Sequence, residues 1–230
     1  STGDSISFFQ AQDKTIPWER AKRSGVAAQL NNEHLMASSA IPLVFPSVKI
    51  KNQHFGDGSV HQLSPLSPAI HLGAERIFVI GVDQPKTPLH SSENNPHPPT
   101  AATIAGHLLD SIFADTMSSD LERLRRINET LKLIPEDNKN KMEGLKHIDS
   151  FIINPSHDFN AIALNYYYDL PIAVRLLLRS AGISNDSESS IISYLLFEKN
   201  FCAELIKLGF EDAMEQEVQI KHFLNLPNSL

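Results

Sequence analysis

The chain lacks the features that define several classes of protein. Its single cysteine, Cys202, excludes an internal disulfide framework, and the apolar neighbours in NFCAEL favour a packed thiol. No apolar run approaches the roughly 20 residues that a membrane-spanning helix needs. The first ten residues, STGDSISFFQ, have neither the basic start nor the long apolar core of a signal peptide. Together these absences favour a cytoplasmic location.

An excess of basic charge is also missing. The chain has 20 Lys and Arg residues against 27 Asp and Glu residues, which gives a formal net charge of -7. The densest basic run, RLRR at residues 123–126, is flanked by Glu122 and Glu129 in a helical pattern, which is typical of a solvated helix face. Nothing in the sequence suggests a phosphate-backbone partner, so we expect no nucleic-acid binding.

The apolar content is large enough for a substantial core, since 41% of the 230 residues are hydrophobic. The run ISFFQ at residues 6–10 predicts a strand, and the mixed segment at residues 23–40 predicts a helix and loop around Leu30 to Ala37. Pro42 and Pro46 then prevent a regular helix. The alternating segment VKIKNQHFGDGS predicts a hairpin with Asn52 at its turn.

The sequence after residue 64 predicts helix-covered parallel strands. A short helix begins near Ser67 and ends at Gly73. The unbroken apolar run RIFVIGV is typical of a strand buried on both faces, as in a parallel sheet covered by helices. SFIIN at 150–154 predicts a second such strand. Between them, residues 84–100 form a long polar, proline-rich loop that we expect to be mobile.

The remaining segments predict helices. Two apolar stripes follow the loop, and their members are Ile104, Leu108, Ile112, Ala105, Leu109 and Phe113, then Leu121, Leu124, Ile127 and Leu131. The tail from Ser184 opens with a capping cluster and predicts a helix that ends at Gly209. A last amphipathic helix carries Met214, Val218 and Phe223.

The segment HFGDGSV places Asp57 between Gly56 and Gly58, which suggests an accessible side chain with a functional role. Taken alone, this pattern is typical of a tight turn with an exposed aspartate. His54 and His61 flank the aspartate and raise the alternatives of a metal site or a triad, but their alternating strand positions favour surface histidines. Ser38 and Ser39 have no sharp strand-to-helix turn around them, so we expect them to pack or to cap a helix.

The segment ASSAIPLVFPSVKIKNQHFGDGSVHQLSPLSPAIHLGAERIFVIGV resembles the C-terminal half of the catalytic domain of patatin-like phospholipases. The resemblance rests on ASSAIP, the spaced FP, the Asp-Gly pair that closes the hairpin, the P..PA..LGA helix and the strand after it. It is dense over about residues 24–83. It implies an α/β fold in which a mostly parallel central sheet is covered by helices, with a helical C-terminal extension.

The resemblance also implies a function, lipid ester hydrolysis by a serine and aspartate dyad in lipid metabolism. Asp57 matches the dyad aspartate, with Gly56 and Gly58 as flanking motif residues and Ser59 where the family has Gly or Ala. The implied substrate is a phospholipid or lysophospholipid ester, with transient contact to a membrane surface. No metal and no organic cofactor follow from this chemistry.

The implied nucleophile is not in this sequence, because none of the ten glycines forms Gly-x-Ser-x-Gly and no glycine-rich oxyanion loop is present. We therefore expect an N-terminal segment that carries both. The chain then divides into the C-terminal half of the patatin-like core (1–83), the mobile loop (84–100), helices and the last strand of the same domain (101–183), and a helical tail (184–230). Two alternatives remain: a non-catalytic lipid-binding or scaffold protein on a patatin-like frame, and an unrelated hydrolase that uses Asp57 with His61.

Overall fold

The structure is a computed structural model that describes residues 3–11, 17–20, 22–42, 45–61, 64–85, 116–135, 145–180, 182–183 and 191–227. The described residues form a mixed α/β structure with eight α-helices and three small sheets. The chain folds as two compact units: unit 1 is Ser1–Ile77 with Asp115–Asp149, and unit 2 is Phe78–Ala114 with Ser150–Leu230. These two units differ from the four segments named from the sequence.

The elements follow one another in mixed order along the chain. The strands are β1 (Ser5–Phe9), β2 (Trp18–Arg20), β3 (Arg23–Ala27), β4 (Val48–Ile50), β5 (Gln53–Phe55), β6 (Arg76–Ile80) and β7 (Asp149–Ile153). The helices are α1 (Asn32–Ser38), α2 (Ser67–His71), α3 (Thr116–Leu133), α4 (Phe159–Asn165), α5 (Ile172–Ser180), α6 (Ile191–Leu195), α7 (Lys199–Glu215) and α8 (Glu217–Leu224).

Unit 1 begins with a three-stranded sheet of order β1-β3-β2, in which β1 and β3 are parallel and β2 is antiparallel to β3. Trp18 lies opposite Gly25, and its ring occupies the space where a side chain at Gly25 would stand, because a Cβ there would lie 2.3 Å from the ring. The same indole stacks on Phe9 with ring centroids 5.3 Å apart, and on His71 at 5.1 Å. β2 and β3 were not predicted; the pattern predicts only a mixed helix and loop for this region.

The predicted hairpin is confirmed. β4 and β5 pair antiparallel from Val48 opposite Phe55 to Ile50 opposite Gln53. Lys51, at the turn beside Asn52, adopts a left-handed backbone with φ of 54°. α1, which the sequence also predicts, begins after Asn31, whose side chain caps the His34 N–H.

The helices of unit 1 follow their predicted patterns. α2 begins at Ser67 as predicted, and Gly73 ends the segment with φ of +93°. In α3 the predicted stripe is buried at Leu121, Leu124 and Leu131. The same face buries a carboxylate, Asp120, whose Oδ2 accepts the Leu66 N–H at 3.0 Å.

The predicted strands β6 and β7 form and pair with each other, and the boundary between the two units falls within both. Asp149 N–H donates to Glu75 O at 2.9 Å and Gly81 N–H donates to Ile153 O at 2.8 Å, so the strands run parallel. The prediction that RIFVIGV is buried on both faces is wrong. Ile80 is 79% exposed and burial alternates along β6, which is typical of a strand with one covered face.

A single central sheet is likewise absent from the described residues, where the strands fall into sheets of three, two and two. The coarser expectation, a mixed α/β chain with parallel pairing, is confirmed. Hydrophobic runs predict strands one at a time. They do not predict which strands pair into one sheet, because pairing between distant strands depends on the whole fold.

Unit 2 has a helical core built from α4 to α7 and the segments that join them. The members of this cluster are Ala163, Tyr167, Leu170, Leu178, Ile183, Ile192, Leu196 and Phe201. A second group of aromatic rings packs where β6 and β7 meet α8: Phe78, Phe151 and Phe223 lie with centroids 5.5 to 6.1 Å apart. Together these contacts place the tail helices of unit 2 against its own strands.

The predicted end of the tail helix at Gly209 is wrong. α7 continues through Gly209 to Glu215, so Met214 belongs to this helix and not to the last one. A short break at Gln216 separates it from α8, which ends at Asn225 with a left-handed φ of 55°. A glycine inside a helix costs about 1 kcal/mol relative to alanine. The same helix nevertheless continues past it and buries Phe201 and Leu208.

Several predicted features lie outside the described residues. They are most of the loop at 84–100, the stripe from Ile104 to Phe113 and the capping cluster at 184–190. At the start of the loop, Gln84 accepts the Phe159 N–H through Oε1 at 2.7 Å. None of the described helices is long and apolar enough to cross a membrane.

Candidate active site

Asp57 lies two residues beyond β5, at the exit of the hairpin, as the sequence predicts. Its N–H donates to the carbonyl oxygen of Ala40 at 2.9 Å. Ala40 is buried and belongs to the segment ASSAIP, which begins in the last turn of α1 and continues beyond it. This hydrogen bond therefore joins two of the sequence pieces on which the resemblance rests, the small-residue run and the Asp-Gly pair.

The carboxylate of Asp57 has one oxygen held and one oxygen open. Oδ1 accepts the N–H of Ser59 at 2.8 Å, which caps a single 3-10 turn over Gly58–Val60. Among the described residues Oδ2 has no hydrogen-bond donor, and the side chain is half-buried. The held oxygen fixes the direction of the carboxylate, and the open oxygen can accept a hydrogen bond from a hydroxyl group.

The two flanking glycines have ordinary backbone conformations, since neither Gly56 nor Gly58 has a positive φ. A Cβ at Gly56 would lie 3.6 Å from Ala40 O, an ordinary contact, and a Cβ at Gly58 would meet nothing within 4 Å. The described residues alone therefore do not require glycine at either position. Close approach of another backbone to Gly58 remains a prediction.

Aromatic packing holds the strand that leads into the site. Phe55, the last residue of β5, contacts the Phe8 ring of β1 edge-on with centroids 5.3 Å apart. Phe8 also contacts the His34 ring of α1 at 4.9 Å. The end of the hairpin thus packs on β1, and the same ring of β1 packs on α1.

The structure does not bring the flanking histidines to Asp57. Both His54 and His61 are exposed, as predicted, and in the described part of the chain neither ring forms a hydrogen bond or an ion pair with the aspartate. His54 Nδ1 lies 3.4 Å from Ser47 Oγ instead. A search of the described residues also finds no group of His, Cys, Asp and Glu that could hold a metal ion.

Ser38 is exposed within α1 and forms no side-chain hydrogen bond among the described residues, whereas Ser39 has a structural contact. Ser39 is the C-cap of α1, and its Oγ donates to Leu35 O at 3.0 Å, in agreement with the predicted capping role. The contact partners of Asp57 were not predicted from the sequence. For Ser59 a signal exists, because an aspartate two residues before a serine is a common turn pattern, whereas no local signal identifies Ala40.

The Asp57 carboxylate is placed to accept a hydrogen bond in a proton transfer. None of the described residues places a second reacting group beside it. Comparisons of the chain with protein-family models, curated proteins and solved structures give no match.

Proposed function

We propose that this chain supplies the catalytic base of a patatin-like serine acyl-ester hydrolase that acts on phospholipid or lysophospholipid esters. Asp57 is the base, and the nucleophilic serine comes from a segment outside these residues. The carrying observation is the Asp57 carboxylate, with Oδ1 held by the Ser59 N–H and Oδ2 open. The hydrogen bond from Asp57 N to Ala40 O adds support, because it ties the aspartate to the other motif segment.

The proposed chemistry needs a carboxylate within hydrogen-bond reach of a serine hydroxyl, about 2.6 to 3.2 Å. Asp57 accepts the serine proton as the serine oxygen attacks the ester carbonyl, and it returns that proton to the departing alcohol. A water molecule then gives a proton to Asp57 and attacks the acyl-enzyme. Asp57 returns that proton to the serine oxygen as the bond to the acyl group breaks, which releases the fatty acid and restores both the serine and the base. No metal takes part in these steps.

The test uses the longer natural protein that carries the serine. Asp57→Asn keeps the Oδ1 contact but cannot take a proton, so we expect turnover of a phospholipid ester to fall by about 10⁴-fold or more, as when a member of a catalytic unit is removed. Thermal unfolding should change little. His61→Gln is the matched control and should retain turnover.

Retained turnover in Asp57→Asn would remove Asp57 from the mechanism. Loss in both variants would favour the Asp57 with His61 alternative. The mass of the natural protein and its labelling by a fluorophosphonate supply a further check. If no serine takes the label while lipid vesicles still bind the protein, the binding-module alternative replaces the enzyme.

A further inference from the structure

Unit 2 contains an apolar pocket at the carboxyl ends of β6 and β7. Its volume is about 330 Å³. This is within the range of small-molecule sites, which span about 300 to 1,000 Å³. The carboxyl ends of parallel strands are also the usual position of ligand sites in α/β proteins. The apolar side chains around it include Phe78, Ile80, Ile153, Phe159, Leu205 and Ile220.

One face of α7 forms part of the pocket wall. Leu205, Leu208, Gly209 and Asp212 line it, and their spacing places them on one side of the helix. A Cβ at Gly209 would meet nothing within 4 Å. The missing side chain of this mid-helix glycine therefore leaves room on the pocket side of α7, at a position where glycine weakens the helix.

Asp212 is the only charged residue among the described residues that line the pocket. It is 6% exposed, and its Oδ2 accepts the Ser156 N–H at 3.1 Å. No other hydrogen bond or ion pair to Asp212 occurs among the described residues. A buried carboxylate with a single hydrogen bond is costly to desolvate, and a cation brought close to it would offset that cost.

A second oxygen acceptor lies at the same strand ends. Asn154 follows β7 and lines the pocket, and its Oδ1 is buried with no hydrogen-bond partner among the described residues. This oxygen packs against Gly81, where a Cβ would lie 2.0 Å from it. The polar residues of the pocket wall thus include Asp212 and Asn154, and none of its described residues is basic.

We propose that this pocket binds an amphiphilic amine, with the apolar body against the strand ends and α7 and the protonated amine at Asp212. The apolar wall explains the body of the ligand, and the buried carboxylate explains its positive head. The pocket is lined by residues of unit 2, whereas Asp57 belongs to unit 1, and the proposal does not depend on the proposed hydrolase activity.

The first experiment compares three eight-carbon probes by calorimetry on the 230-residue chain. We expect octylammonium to bind with one site per chain. Octanol should bind about 10-fold more weakly or worse, because it lacks the charge-assisted hydrogen bond. Octanoate should not bind measurably. Equal affinity for the amine and the alcohol, or no saturable binding of the amine, would overturn the proposal.

Variants of α7 then locate the site. Asp212→Asn can still accept the Ser156 N–H but has no charge, so the affinity for octylammonium should fall about 10-fold, a loss worth about 1.4 kcal/mol. The matched control is Glu211→Gln, which removes an exposed charge one residue away and should leave the affinity unchanged. An equal loss in both variants would show attraction to the net negative chain only, and would refute the site.

The glycine provides a steric test with its own control. Gly209→Leu should prevent binding of both octylammonium and octanol, because the added side chain enters the pocket. Gly209→Ala should keep most of the binding and raise the free energy of unfolding by about 0.5 to 1 kcal/mol. Binding that survives Gly209→Leu in a protein with normal circular dichroism would contradict the proposed position.

Discussion

Asp57 and Asp212 hold their carboxylates in the same way but in opposite surroundings. Each accepts one backbone N–H, from Ser59 at 2.8 Å and from Ser156 at 3.1 Å. Asp57 is half-buried at a hairpin exit, whereas Asp212 is buried in the last turn of α7 at an apolar pocket. A carboxylate near water can exchange protons with an incoming hydroxyl; one surrounded by apolar groups instead favours a cationic partner.

The largest predicted effect is the absence of ester turnover when Asp57 is tested without the proposed serine nucleophile. The 230-residue chain should show no turnover of nitrophenyl butyrate above background. Removing one member of a catalytic unit costs about a million-fold in turnover, and the oxyanion donors are missing from this sequence as well. If the chain alone hydrolyses the ester and Asp57→Ala abolishes that turnover, the prediction is wrong. Asp57 would then support hydrolysis together with residues of this chain only.

Burial within α7 gives the next effect in size. Phe201 is 2% exposed and Phe210 is 65% exposed on the same helix. Phe201→Ala should lower the free energy of unfolding by about 3 to 5 kcal/mol. Phe210→Ala should change it by less than about 1 kcal/mol. Urea unfolding followed by circular dichroism measures both, and similar losses would show that Phe210 is covered in solution.

The smallest predicted effect is the change in the free energy of unfolding when either aspartate is replaced. Asp57→Ala removes the cap of a 3-10 turn and should cost about 1 kcal/mol. Asp212→Asn keeps an acceptor for Ser156 and removes a buried charge, so the free energy of unfolding should stay the same or rise. A clear loss of stability in Asp212→Asn would mean that the charge itself is paired, and that the pocket does not need a cation from a ligand.

Local patterns predicted much of the secondary structure. The alternating VKIKNQHF gives the β4–β5 hairpin, Gly73 ends α2 with a positive φ, and the stripe through Leu121, Leu124 and Leu131 is buried in α3. These features depend on neighbours in the sequence, such as side-chain period and glycine conformation. For the same reason the position of Asp57 at the hairpin exit was predictable.

Other features have no local signal, or have one that predicts the wrong structure. Trp18 stacks over Gly25, and its short strand β2 was missed because three residues carry too little periodicity. Glycine usually marks the end of a helix, so the sequence predicts an end at Gly209. In the structure Gly209 lies inside α7. The continuous apolar run at β6 predicted burial on both faces, whereas Ile80 is exposed beside a single neighbouring strand.

The sequence by itself determined that Asp57 lies between two glycines at the exit of a hairpin, because this is a local pattern that a short segment can carry. Its candidate role as a base comes only from the resemblance of the surrounding segment to a known family. Only the tertiary structure decided that Asp57 is tied to Ala40 and that Asp212 lies at an apolar pocket with one hydrogen bond. Asp212 and Ser156 are 56 residues apart. Contacts over that distance depend on how strands and helices pack, and no local spacing encodes them.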